Sequence, residues 1–114
     1  MKAAKCLAAM TTLAFGAPVC AEVGVARPAD CVLKVNTDTV IDGPCDFTPL
    51  DVDGSFIIST RDGQFFAYVT IVSRGVAEGH WNETPFATHA HTPLGTLIRN
   101  GACWSNDTAS VCAY

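Results

Sequence analysis

The chain has 114 residues, of which 49% are hydrophobic, and its seven Lys or Arg and eleven Asp or Glu give a formal net charge of −4. This length supports one small domain and excludes a second one. The basic residues are scattered along the chain, which argues against a nucleic-acid partner because such a surface requires a basic patch.

The first 21 residues follow the pattern of a secretory signal peptide. Lys2 and Lys5 give a positively charged start, residues 6–15 are apolar, and small residues precede the predicted cleavage site after Ala21. The apolar stretch is too short to span a bilayer, which takes about 20 residues. We therefore expect a single exported domain, 22–114, that is periplasmic or secreted and has no membrane span.

Cleavage leaves four cysteines, together with five basic residues against eleven acidic ones, a net charge of −6. Four cysteines in a small exported domain indicate two disulfides. Turns expected at 37–39 and near 107–108 bring the first two and the last two cysteines together across hairpins. The predicted disulfides are Cys31–Cys45 and Cys103–Cys112. Each closes a short loop and is expected to contribute about 2–3 kcal/mol to stability.

Short strands separated by turn residues account for most of the domain. The strands are predicted at 31–36, 39–42, 55–60, 64–73, 76–82 and, as a three-strand meander, within 95–114. The other segments are a poorly ordered lead-in at 22–30, a break at 43–44, and connections at 46–50 and 83–93. No window shows a helical period, and turns recur about every ten residues. This pattern indicates an all-β fold, a small antiparallel barrel or sandwich of about seven or eight short strands.

Two segments predict the position of a strand and the type of a turn. The strand at 64–73 is apolar on both faces, which favours a central position in a sheet. The dipeptide Asn100-Gly101 is typical of a type I′ turn, since both residues tolerate positive φ, and it predicts a tight hairpin.

All three histidines lie within the segment 79–93. In an extended chain, His89 and His91 would point to the same side, and His80 could complete a site of three nitrogen ligands. With Glu83 or solvent as a fourth ligand, such a site would suit zinc or copper. The alternative is that these are ordinary loop histidines that bind nothing.

The same segment, 79–93, can be interpreted as a partner-binding loop on a rigid β scaffold. Long loops often carry recognition, and Trp81 and Phe86 are aromatic side chains of the kind that anchor interfaces. The residues assigned to this contact surface are Trp81, Phe86, His80, Asn82 and Glu83. The alternative for Trp81 is that it ends a strand and packs inward.

The segment Asp51-x-Asp53-Gly54 matches part of a calcium-binding loop. The full pattern requires further acids at places that hold Pro49 and Thr60, so a plain turn is favoured.

Catalytic motifs are scarce. The chain has no Gly-x-Ser-x-Gly elbow and no His-Glu-x-x-His sequence, and oxidised cysteines leave no thiolate nucleophile. We therefore predict that the protein is not an enzyme. A small hydrolase assembled from residues such as His80, Asp53 and Ser55 is the enzymatic alternative.

Three segments carry a resemblance to known proteins. They are Ile41–Phe47, Asp53–Phe56 and Gly101–Asp107, together with the closing Val111-Cys112-Ala113. In these segments the chain resembles a group of small exported proteobacterial two-disulfide proteins of uncharacterised function. More distantly, it is similar in type to the periplasmic inhibitors of lysozyme, which are exported, all-β and braced by disulfides. For the Ser-Gly loop and following Tyr of the c-type inhibitors, the nearest counterparts here are Asp62-Gly63 and Tyr68.

The sequence therefore favours an exported, non-enzymatic module that binds a protein or an envelope component. The distant resemblance implies a cell-wall hydrolase as the target, and the acidic chain would suit a basic lysozyme. The alternative is a periplasmic zinc- or copper-binding protein that uses the three histidines. No other cofactor is expected.

Overall fold

The computed structural model describes residues 22–114, so the predicted signal peptide, 1–21, lies outside the described residues. The described part folds into eight strands joined in sequence. These are β1 (Arg27–Val35), β2 (Asp38–Pro49), β3 (Phe56–Thr60), β4 (Phe66–Ser73), β5 (Val76–Trp81), β6 (Thr92–Asn100), β7 (Cys103–Ser105) and β8 (Ala109–Ala113). Each strand pairs antiparallel with the next, and β1 also pairs with β8, so the sheet closes into a barrel. The prediction of a small antiparallel all-β fold is confirmed, as a barrel.

Residues 22–114 contain no helix. Accordingly, the described residues include no helical segment of the length and apolarity needed to cross a membrane.

Side chains alternate between the interior and the surface of the barrel, as the period of two in a strand requires. In β4, Ala67 and Val69 are fully buried, whereas Phe66 and Tyr68 lie on the outer face in edge-to-face contact. The strand has a neighbour on each side, as a central strand does. Both faces of the strand are apolar, but only one of them faces the core, because a closed barrel has one interior.

The barrel is narrow, and its interior combines a few large side chains with several very small ones. Trp81 and Trp104 are each 7% exposed, and Ala67 and Ala77 are fully buried in the same core. Ala67 lies directly opposite Trp81 across the β4–β5 ladder. Gly79 lies close to its neighbours, since a Cβ added there would lie 2.7 Å from Leu97 Cδ1.

The N-terminal half is more regular than the sequence predicted. The expected poorly ordered lead-in joins β1 from Arg27 onward, and β2 continues through Gly43-Pro44 to Pro49. Pro44 is tolerated because β2 pairs with β3 only over 45–49. Residue 44 lies outside that ladder, so the missing N–H of Pro44 removes no hydrogen bond to β3.

Both predicted disulfides are confirmed, although one forms in an unexpected register. Cys103 lies directly opposite Cys112. Cys31 lies opposite Gly43 rather than Cys45, because the β1–β2 turn lies at 36–37 and a bulge follows Leu33. The Cα atoms of Cys31 and Cys45 are nevertheless 5.8 Å apart, within the range a disulfide spans.

The hairpin between β6 and β7 turns one residue later than predicted. Asn100 pairs with Cys103, so the two loop residues are Gly101 and Ala102. Gly101 has φ of 64° and neither Asn100 nor Ala102 has positive φ, which fits a type II′ turn and not the predicted type I′ turn.

The barrel has two distinct ends. The first, here the terminus end, holds the start of β1, the end of β8 and the connections 50–55, 74–75 and 101–102. The other, here the long-loop end, holds the connections 36–37, 61–65, 82–91 and 106–108. The segment 82–91, the long loop, is the longest connection between described strands.

Candidate functional site

The long loop is organised by a single buried side chain, that of Asn82. Its Oδ1 accepts a hydrogen bond from Phe66 N at 3.1 Å, and its Nδ2 donates to Gln64 O and Ala87 O at 3.0 and 3.1 Å. A further contact reaches Thr84 O at 3.3 Å. Asn82 is completely buried, so its assignment to the contact surface is wrong. Its side chain lies beneath the long loop and stabilises it through these hydrogen bonds.

Backbone hydrogen bonds then fix the tip of the loop. Phe86 N donates to Gln64 O at 2.8 Å, which ties the long loop to the neighbouring connection 61–65, and Ala87 N donates to Thr84 O at 3.0 Å. Thr84 N also donates to Asn82 O. These bonds leave the tip with few alternative conformations.

The backbone of the loop is strained at two positions. Glu83 and Phe86 have φ of 50° and 66°, in the left-handed region that side chains larger than Gly rarely adopt. Such a conformation costs on the order of 1–3 kcal/mol and persists only where surrounding contacts impose it. Here the bonds to Asn82 and Gln64 impose it.

The result is an aromatic side chain held out in solvent. Phe86 is 61% exposed, although Phe is among the residues most often buried in folded proteins. An exposed aromatic ring on a backbone fixed by hydrogen bonds is a suitable anchor for a protein partner, because the backbone loses little conformational entropy on binding.

Trp81 behaves differently, and its assignment as an anchor is wrong. It is the last residue of β5, is 7% exposed, and packs against the Phe65 ring at a centroid distance of 6.1 Å. Its Nε1 is buried and has no hydrogen-bond partner among residues 22–114. The inward alternative is the correct one for this residue.

A cavity of about 270 Å³ opens beside the long loop. Trp81, Leu94 and Glu83 are among the residues that line it, and Thr92 Oγ1 donates to Glu83 Oε1 at 2.9 Å at its edge. A cavity lined by apolar side chains together with a carboxylate can accept a long side chain with a positive charge.

The three histidines do not form a ligand set. His80 is half-buried in β5, opposite Tyr68, whereas His89 and His91 are exposed in the long loop. Within residues 22–114, no three or more His, Cys, Asp or Glu side chains are arranged to hold a metal ion. The segment 88–89 bends, so the extended geometry on which the zinc or copper hypothesis depended is absent there.

The long-loop end is acidic. Its connections carry Asp62, Glu83 and Asp107 against Arg61, and the adjoining strand ends add one charge of each sign, Lys34 and Asp38. Arg61 is itself paired, with its Nε 3.8 Å from Asp46 Oδ1. Hydrogen bonds from Gln64 N and the Thr60 hydroxyl lower the pKa of Asp62, which keeps this carboxylate ionised.

The partial calcium motif, Asp51-x-Asp53-Gly54, forms a turn that is closed by hydrogen bonds to the Asp51 side chain. Asp51 Oδ1 accepts hydrogen bonds from the backbone nitrogens of Asp53, Gly54 and Ser55 at 2.9, 3.1 and 3.2 Å. Desolvation acts to raise the pKa of Asp51, but these hydrogen bonds outweigh it and lower that pKa. One carboxylate oxygen is thus already occupied by the protein's own backbone, as in an Asx turn.

Comparison with models of protein families, with curated proteins and with solved structures found no match to this chain.

Proposed function

We propose that the protein is an exported, non-enzymatic binding module that recognises a protein partner through its long-loop end. The proposal rests on Phe86, which is exposed at the tip of the long loop. Buried hydrogen bonds hold its backbone in a strained conformation. A strained backbone below an exposed aromatic ring does not stabilise the free protein. It has a use if that ring contacts a partner.

The cysteines support both the export and the non-enzymatic part of the proposal. Residues 22–114 contain two disulfides and no free cysteine, which is consistent with an oxidising compartment such as the periplasm or the exterior. No thiolate is left in this part of the chain to act as a nucleophile.

Charge indicates the class of partner. The domain has a net charge of −6, and the connections around Phe86 carry three acids against one paired arginine. Such a surface attracts a basic protein and raises the rate of association. We propose a basic cell-wall hydrolase of the lysozyme type as the partner, in line with the distant resemblance to lysozyme inhibitors.

Calorimetric titration of the oxidised protein into a basic c-type lysozyme tests this proposal. We expect saturable binding that weakens with salt, because exposed charges are screened. Phe86→Ala should weaken binding by about tenfold or more, as for an interface anchor.

Val52→Ala is the matched control, because Val52 is an apolar side chain that is 92% exposed at the terminus end. It should leave the affinity unchanged. Absence of saturable binding would reject lysozyme as the partner, and equal losses in the two variants would reject the long loop as the contact surface.

A further inference from the structure

We propose that the terminus end of the barrel binds a small organic anion, a carboxylate or phosphate attached to a flat apolar body. A cavity of about 360 Å³ opens there, between the start of β1, the end of β8 and the turns at 74–75 and 101–102. This volume is in the range of small-molecule sites, and the mouths of β-barrels are a common place for them.

The cavity gathers most of the positive charge of an acidic domain. Arg27, Arg74 and Arg99 all line it, and they are three of the five basic residues in 22–114. They come from β1, the β4–β5 turn and β6, so only the closed fold brings them together. The carboxylate side chain in the lining is that of Asp53.

These arginines are not neutralised by ion pairs. In the described part of the chain the one ion pair is Arg61–Asp46, between the connection 61–65 and β2, so no carboxylate of that part lies within 4.0 Å of a cavity guanidinium. Three unpaired cations against the one carboxylate side chain of Asp53 leave a net positive charge around the cavity, although the domain has a net charge of −6, and this charge favours an anion.

Two of the guanidinium groups are held in place by aromatic rings. The Arg27 guanidinium lies 4.8 Å from the centre of the Phe47 ring, and that of Arg99 lies 5.9 Å from the Trp104 ring. Arg99 Nε also donates to Gly101 O at 3.2 Å. A guanidinium has five N–H donors, so each group retains donors for a carboxylate or phosphate while its position is restricted.

The same rings give the cavity its apolar wall and indicate what carries the anion. Phe47 and Phe56 stack with their centres 5.0 Å apart, and Trp104 and Ile71 complete the wall. A bare inorganic anion would leave this wall in contact with water, whereas a flat apolar body would cover it.

The test is a calorimetric titration of the oxidised protein with four probes, which are benzoate, phenyl phosphate, inorganic phosphate and neutral benzyl alcohol. We expect saturable binding of benzoate, phenyl phosphate or both, at least about tenfold tighter than of the other two probes. The relative affinities of the first two separate a carboxylate ligand from a phosphate ligand. Equal binding of benzyl alcohol, equal binding of inorganic phosphate, or no saturable binding at all would overturn the proposal.

Charge variants locate the binding. Arg74→Gln should lower the affinity for the tighter-binding probe by about tenfold. The substitution removes no hydrogen bond or ion pair within 22–114. Lys34→Gln is the matched control, because it removes the same charge from an exposed residue outside the cavity. An equal loss in both variants would show that only net charge matters and would contradict the site. Circular dichroism of each variant confirms that the barrel is intact.

Discussion

At the scale of single residues, Asn82 shows how one side chain can decide what a loop presents. Its amide connects the long loop to the neighbouring connection and imposes the unusual backbone at Phe86. Nothing in the sequence around Asn82 distinguished it from an exposed loop residue, because its partners are backbone groups up to 18 positions away. The sequence suggested Phe86 as an anchor from its residue type alone, and the structure shows that this side chain is exposed.

Replacing Asn82 by Ala should destabilise the protein by about 3 kcal/mol, because several buried backbone groups would lose their hydrogen-bond partner. Urea unfolding followed by circular dichroism measures the change. Asn100→Ala is the control, since Asn100 is exposed at the end of β6, and it should change stability by less than about 0.5 kcal/mol. Similar values for the two variants would show that Asn82 does not organise the loop.

Asp51 gives a prediction about pH. Its pKa is lowered in the folded protein, so the ionised carboxylate stabilises the turn above about pH 4, and this contribution disappears as the pH falls through the lowered pKa. Asp51→Asn removes the charge and keeps an acceptor oxygen. Urea unfolding gives the free energy of unfolding of the wild-type protein and of the variant. The difference between these two free energies should shrink as the pH falls from 6 to 2. A difference that stays constant with pH would contradict the role of the ionised carboxylate.

At the level of strands and turns, local turn chemistry predicted where hairpins form, although it gave the β6–β7 turn one residue too early and with the wrong type. Asn106 illustrates this, since its Oδ1 accepts hydrogen bonds from Thr108 N and Ala109 N, both at 2.8 Å, and closes the β7–β8 turn where the sequence indicated one. The predictions failed where tertiary pairing overrides local signals. Pro44 lies within β2 because β1 is there to pair with it, and the β1–β2 register is shifted by a bulge that no local pattern indicates.

Gly79 tests how tightly β5 and β6 approach each other. A Cβ at this position would lie 2.7 Å from Leu97 Cδ1 and 3.1 Å from Leu94 Cβ, so Gly79→Ala should cost about 1–3 kcal/mol by overpacking. Combining it with Leu97→Val should cost less than the sum of the single variants, since the two sites are in contact. Additive losses in thermal or urea unfolding would mean that the two residues do not contact one another.

The two disulfides brace different hairpins and should be separable. Replacing both Cys103 and Cys112 by Ser should cost about 2–3 kcal/mol, and the same change at Cys31 and Cys45 about 0.4 kcal/mol more, because the loops span 9 and 14 residues. Unfolding in urea under non-reducing conditions measures both. Full stability in either variant would show that the corresponding disulfide does not brace the fold.

At the scale of the whole molecule, the sequence indicated an all-β domain but left a barrel and a sandwich equally open. Closure depends on the pairing of β1 with β8, for example Leu33 with Val111, which joins residues far apart in the chain and leaves no local signal. The two ends arise in the same way. Three arginines that look scattered in the sequence meet at the terminus end, and Asp62, Glu83 and Asp107 lie in the connections of the long-loop end.

We propose that the two ends of one barrel bind two ligands, a basic protein and a small organic anion. Amide chemical-shift mapping of the isotope-labelled protein, titrated separately with lysozyme and with phenyl phosphate, tests it most directly. We expect lysozyme to shift the amide signals of Phe86 and Ala87, and phenyl phosphate to shift those of Gly75 and Gly101. Shifts from both ligands at the same end, or no localised shifts from either, would contradict it.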